Sequence, residues 1–296
     1  MKNYISAFIL LSTVPVSVQA AATAGSSSAS DLTATADISG TLVFVAVPAL
    51  SLTVGPVNEA SDTAPIPYSI SVTPVGTAAS TSAPLGLDLA VDVDSLTVDS
   101  TVDGAEGPRV ATGNVSVTDA SAAVEIAGIG LDILTLGLTT TSALVSNSQV
   151  IWDGASFTTN GTSNYLTSGA TLTLSILGVP LTIPALTANV PVNIPVSVSV
   201  PGVASVTGNI SLTVDDIDTS IVGDTATASA SSVQLATTLN VSALGTNLNV
   251  DADIALNQTT AAMTAVPVPE PGVSTGVMLT AAGLLMRRGS RRSGAA

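Results

Sequence analysis

The chain has 296 residues, of which 46% are hydrophobic, 2% aromatic and 9% charged, and it contains neither His nor Cys. Ser-His-Asp and Cys-His catalytic machinery, zinc sites built on His or Cys, and a disulfide framework are therefore excluded. All 21 acidic residues lie between Asp31 and Glu270, where Arg109 is the one cation, so this interior carries a net −20 and repels a nucleic-acid backbone.

In chain order, residues 1–20 read as a Sec-type signal peptide. Lys2 supplies the positive start, residues 5–14 an apolar run, and Val18 and Ala20 the small residues at −3 and −1. Cleavage is expected after Ala20 or Ala22, and the Sec translocon is the implied partner. The apolar run falls well short of the ~20 residues that span a bilayer.

Residues 21–257 read as an all-β body, an antiparallel β-sandwich-like extracellular domain or pair of domains. Leu87, Leu89, Val91 and Val93 alternate with Asp88, Asp92 and Asp94, and Val206, Ile210, Leu212 and Val214 with Ser205, Thr207, Asn209 and Ser211. The longest alternation sets Leu244, Thr246, Leu248, Val250, Ala252, Ile254 and Leu256 against Gly245, Asn247, Asn249, Asp251, Asp253, Ala255 and Asn257. Period two means a strand with one buried face. Val192, Ile194, Val196, Val198 and Val200 form another such face, and Pro195 on its polar side lacks a backbone donor, which predicts an edge strand or a bulge.

Gly55-Pro56, Gly107-Pro108, Gly154, Asn160-Gly161, Pro201-Gly202 and Gly223-Asp224 are expected turns. The charged, turn-rich stretch 103–109 is a candidate sub-boundary within the body. Residues 258–268, where the alternation fades into Ala, Thr and Pro, read as a linker. An outer-membrane barrel would share the alternation but needs aromatic girdles, and seven aromatic residues, two of them in the signal peptide, do not supply them.

Residues 269–292 carry Pro269-Glu270-Pro271, a mostly apolar stretch over 273–286, then Arg287-Arg288 and Arg291-Arg292. Arginines following an apolar segment hold it with the basic side cytoplasmic. At about 14 residues the stretch is short for a permanent span and suits transient membrane insertion as a sorting helix. This tripartite tail resembles the PEP-CTERM sorting signal of exported Gram-negative bacterial proteins, with Gly283-Leu284-Leu285 near the end of the apolar segment. Gly272-Val273 departs from the Ser or Thr that usually follows the motif. The resemblance implies recognition by an exosortase and processing near Pro269, Glu270 and Pro271, with Arg287 and Arg288 as the basic stop. It also implies residence at the cell surface or in the extracellular matrix, in a biofilm setting where exopolysaccharide is a candidate partner. The polar stretch 26–32, together with the strands that follow and residues 171–184 containing Gly178-Val179-Pro180, resembles the choice-of-anchor extracellular β-proteins, which implies an all-β body without known activity.

Two acidic groups are the candidate metal ligands. Asp92 and Asp94, with Asp99 and Asp103 downstream, project from a strand, and Asp215, Asp216 and Asp218 crowd a strand end; carboxylate oxygens in either group suit Ca2+. Leu96 and Val98 break an EF-hand pattern, and a solvated acidic face is the plain alternative. Paired carboxylates also serve glycosidases, yet Trp152, Tyr68 and Tyr165 are few aromatic platforms for sugar, and no Asp-Thr-Gly or Asp-Ser-Gly triplet occurs. Trp152-Asp153-Gly154 reads as a core tryptophan before a turn. The expectation is a non-enzymatic structural or adhesive surface protein, with a Ca2+-dependent ligand-binding module as the alternative.

Overall fold

A computed structural model describes residues 21–266 apart from 43–44, 64–66, 74–76, 84–86, 105–108, 127–130 and 244. The signal peptide and the sorting tail lie outside these residues. The strands are β1 (Ala21–Leu42), β2 (Val45–Val54), β3 (Glu59–Thr63), β4 (Tyr68–Val72), β5 (Thr77–Ala83), β6 (Leu87–Asp103), β7 (Arg109–Ile126) and β8 (Leu131–Trp152). They continue with β9 (Phe157–Ser163), β10 (Thr171–Ile176), β11 (Val179–Pro180), β12 (Val192–Val200), β13 (Ala204–Val222), β14 (Thr225–Ala243) and β15 (Thr246–Val266). The body is all-β: two antiparallel sheets packed face to face. Sheet A runs β12-β13-β14-β15-β1-β2 with β3 beside β1, and sheet B runs β11-β10-β8-β7-β6-β4 with β5 beside β6 and β9 beside β8.

The alternation read from the sequence sets the inward faces. Leu248, Val250, Ala252, Ile254 and Leu256 are all buried, whereas Asn247, Asn249, Asp251 and Asp253 are exposed. Leu89, Val91 and Val93 on β6 and Val206, Ile210, Leu212 and Val214 on β13 follow the same rule. Apolar side chains point in and polar ones out, the inverse of a membrane barrel. β12 is an edge strand of sheet A, and Pro195 faces outward on it.

Three expectations are corrected. Residues 258–266 are not a linker: β15 continues through Val266, paired with β1 on one side and β14 on the other. The alternation is hard to follow there because its phase inverts at Asn257, after which Thr259, Ala261, Met263 and Ala265 point inward. Asn160-Gly161 is not a turn but lies within β9, where a Cβ on Gly161 would stand 2.6 Å from the Ile217 side chain of the opposite sheet. The candidate sub-boundary at 103–109 joins β6 to β7, which pair along their length from Asp103↔Val110 to Leu87↔Ile126, so it is a hairpin within one sheet. By contrast, Gly154, Pro201-Gly202 and Gly223-Asp224 do lie between strands.

β1 and β15, 22 and 21 residues long, run through the middle of sheet A. At ~3.3 Å per residue such strands extend about 70 Å. Halfway along, each of the four long strands of sheet A turns two successive residues inward: Asp31 and Leu32 on β1, Leu256 and Asn257 on β15, Ser232 and Val233 on β14, Val214 and Asp215 on β13. The register is the same on both sides of this row, while Asp215 (φ 46°) and Asn257 (φ 52°) take the left-handed conformation open to short polar side chains. Sheet B is irregular at the same level, between Asp94 and Thr97 on β6 and between Val117 and Asp119 on β7. Such bulges bend and twist a strand locally.

The row divides the interior. On one side lies a core of large side chains, including Leu32, Ile38, Leu89, Leu136, Ile210, Leu235 and Leu248. On the other, a smaller core is built from Val102, Ala111, Val150, Trp152, Ala226, Ala228, Ala261, Met263 and Ala265. Small residues predominate there because the sheets approach closely: a Cβ on Gly113 of β7 would stand 2.4 Å from the Ser28 carbonyl oxygen of β1. Trp152 is buried in this core against Phe157, ring centroids 4.6 Å apart, as a tryptophan before a turn should be.

Candidate functional site

Between the two cores, the inward-turned polar residues form a belt that ties sheet A to sheet B. Asp31 is fully buried, and its carboxylate accepts hydrogen bonds from Leu32 N (2.6 Å), Asn58 N (2.9 Å), Asn58 Nδ2 and, across the interface, Ser95 Oγ (2.6 Å). Asp215, at the other end of the row, accepts from Ser163 Oγ (2.6 Å), Tyr165 N (2.7 Å) and Leu166 N (3.0 Å). Between them, Asn257 Nδ2 donates to the Leu144 carbonyl at 2.8 Å, and Ser232 Oγ lies 2.7 Å from Ser146 Oγ. A carboxylate is acceptor-only when ionised, so each aspartate gathers donors that burial would otherwise leave dry. Beside Asp215, the Tyr165 hydroxyl is shifted above its ordinary pKa, chiefly by burial and then by the Asp215 charge.

A second tie crosses at the small core. Tyr68 Oη accepts from Ser27 N at 2.8 Å and donates to the Asp62 carbonyl at 2.7 Å, while Ser100 Oγ donates to the Ser27 carbonyl at 2.8 Å. At the β8–β9 turn, Asp153 is exposed and lies below its ordinary pKa because the N–H groups of Ser156 and Ala155, then the Ser156 hydroxyl, bond its carboxylate.

The candidate metal ligands separate once placed. Asp215 is inside the belt with its oxygens committed to donors; Asp216 bonds Gln234 Nε2 at 3.0 Å; Asp218 is exposed. The chain therefore splits the second acidic group between interior and surface. Asp92 and Asp94 do share an outward face, and Asp119 of β7 sits directly opposite Asp94. These three line an open groove of about 290 Å³ with Ser121, Thr139 and Thr173. Among the described residues, no three His, Cys, Asp or Glu side chains converge to hold a metal ion. Asp99 lies past the β6 irregularity, and Asp103 bonds Gly104 N at 2.7 Å.

Sequence reading did not single out Asp31, Ser95, Asp119, Ser163 or Asn257. For Asp31, Asp215 and Asn257 the available signal was a polar residue standing where the period-two pattern slips by one. Asp119 had no such signal, since its partner Asp94 is distant in sequence.

Ala22 is in β1 opposite Ala265; Ala20, Pro269, Glu270, Pro271, Arg287 and Arg288 lie outside the described residues. No helix among the described residues is long and apolar enough to cross a membrane. Comparison with protein-family models and with curated proteins finds no match.

Proposed function

We propose that this chain is an exported, non-enzymatic β-sandwich protein of a Gram-negative cell surface or extracellular matrix, sorted by an exosortase and structural or adhesive in role. The observation that carries the reading is the ordered tail: Pro269-Glu270-Pro271, the apolar stretch 273–286, and the arginine cluster from Arg287 to Arg292. The body is consistent with it. Its interior is closed by packed side chains and by the polar belt, and its grooves are open and lined mainly by the Ser, Thr, Asn and Asp of the outward faces. The Ca2+-dependent alternative is weakened by the commitment of Asp215 to internal hydrogen bonds.

The test is sorting itself. Glu270→Ala, or deletion of residues 287–292, is expected to change the mature mass or to leave the protein in the inner membrane, because the tail is read as one unit. Unaltered mass and location in both variants, by intact-mass spectrometry and fractionation, refute the exosortase reading.

A further inference from the structure

We propose that the outward face of sheet A, at the end away from the chain termini, binds a neutral, hydroxyl-rich polymer: an uncharged glycan held by its hydroxyl groups. The inference deepens the adhesive role proposed above and rests on that reading. The face is built by strand pairing. Asn240 of β14 stands opposite Asn249 of β15, and Ser242 opposite Asn247; Thr207 and Ser205 of β13 extend these two rows across the next strand. Ser39 and Thr41 of β1 extend them on the other side. At the ordinary spacings of ~4.8 Å between strands and ~6.8 Å between alternate residues, this is a regular grid of hydroxyls and amides. It lines an open groove of about 430 Å³.

Three features set this grid apart from an ordinary solvated face. It is uncharged in an interior of net −20; the nearest acids, Asp251 and Asp37, begin in the following row. None of the side chains of Ser205, Thr207, Asn240, Ser242, Asn247 and Asn249 hydrogen-bonds to another described residue, so their donors and acceptors are all directed outward, whereas Asn189, Asn193 and Asn209 at the sheet edge bond within the protein. The face is also distal. Ala21 pairs with Val266 at the opposite end, from which the segment that carries the sorting signal continues. Asn249 lies 17 residues up β15 from Val266, about 55 Å at ~3.3 Å per residue.

The chemistry selects the occupant. A polyanion meets repulsion from the surrounding carboxylates, and a polycation finds no carboxylate within the grid. A protein partner would lack the aromatic and Arg anchors on which interfaces depend. Hydroxyl and amide groups, each donor and acceptor at once, match a polyol edge-on without ring stacking. Each contact is weak, and repetition along polymer and face supplies the retention.

The experiment is affinity electrophoresis of the full chain in gels containing dextran, hydroxyethylcellulose or alginate. Retardation by at least one neutral glucan and none by alginate is expected. Asn240→Ala combined with Asn249→Ala should weaken retardation about tenfold with an unchanged denaturation midpoint, whereas Asn160→Ala on β9 should bind as the parent does. Absence of retardation by both neutral glucans, equal retardation by alginate, or a double variant that binds normally overturns the proposal. So does a double variant that changes only the sedimentation coefficient, which makes the occupant a second copy. Localisation is measured separately, so a correctly sorted chain that ignores glucans refutes this inference alone.

Discussion

Asp31 and Asp215 illustrate how a buried carboxylate is accommodated: each is surrounded by donors, backbone N–H groups together with side chains, that would themselves be costly to bury unpaired. Replacing Asp31 by Ala leaves Leu32 N, Asn58 N and Ser95 Oγ without their acceptor. The expected loss is about 1–3 kcal/mol for each donor that stays dry. Asp31→Asn, which preserves one acceptor oxygen, should lose less. Chemical denaturation midpoints check both, and an unchanged midpoint for Asp31→Ala would mean that the belt contributes nothing to holding the sheets.

The same belt makes a statement about pH. Burial and the Asp215 charge raise the Tyr165 pKa above its ordinary value near 10, so the folded chain binds that proton more tightly than the unfolded chain. The resulting stabilisation is fully present below pH 10 and is lost as pH rises through the higher folded-state value. Tyrosinate absorbance, taken as the difference between the parent chain and Tyr165→Phe, should show this phenol titrating above pH 10. Titration at or below 10 contradicts the burial and the proximity to Asp215.

At the scale of elements, β15 shows what the sequence makes legible and what it hides. From Leu248 to Leu256 the alternation is unbroken, and large apolar residues mark the inward face. Ile254→Asp is therefore expected to destabilise by several kcal/mol through burial of an unpaired charge, while Asp253→Ser changes the midpoint little because it touches only solvent. Equal effects of the two would contradict the strand assignment. Past Asn257 the same strand is hard to read, because the phase inverts and the inward residues shrink to Thr and Ala. Residues 26–32 of β1 mirror the difficulty: Ser27 and Ala29 point inward, then Asp31 and Leu32 together, so a central strand resembles a polar leader. Asn160-Gly161 misled for another reason, since that glycine answers to the Ile217 side chain across the interface and not to a turn. The second acidic group divides because Asp215, with φ 46°, takes a left-handed conformation that turns it inward, away from the exposed Asp218.

For the whole molecule, the belt separates two cores of unequal strength along the same continuous strands. Leu, Ile and Val side chains each contribute about 1.5–3 kcal/mol on full burial, whereas alanines contribute far less apolar area. The large-residue core should thus open at higher free energy than the Ala-rich one, as local stability follows buried apolar contact. β14 provides the cleanest comparison, because both of its ends lie in hairpins and chain-end fraying cannot account for a difference. Hydrogen exchange is expected to be slower for amides of residues 235–241, where Leu235, Leu239 and Val241 are buried, than for residues 226–230, where Ala226, Ala228 and Ala230 take those places. Enlarging the small core offers no simple remedy, since the close approach of Gly113 to the Ser28 carbonyl leaves little room between the sheets there. Uniform protection along β14 would show that the strands transmit stability across the belt and that the two cores unfold as one.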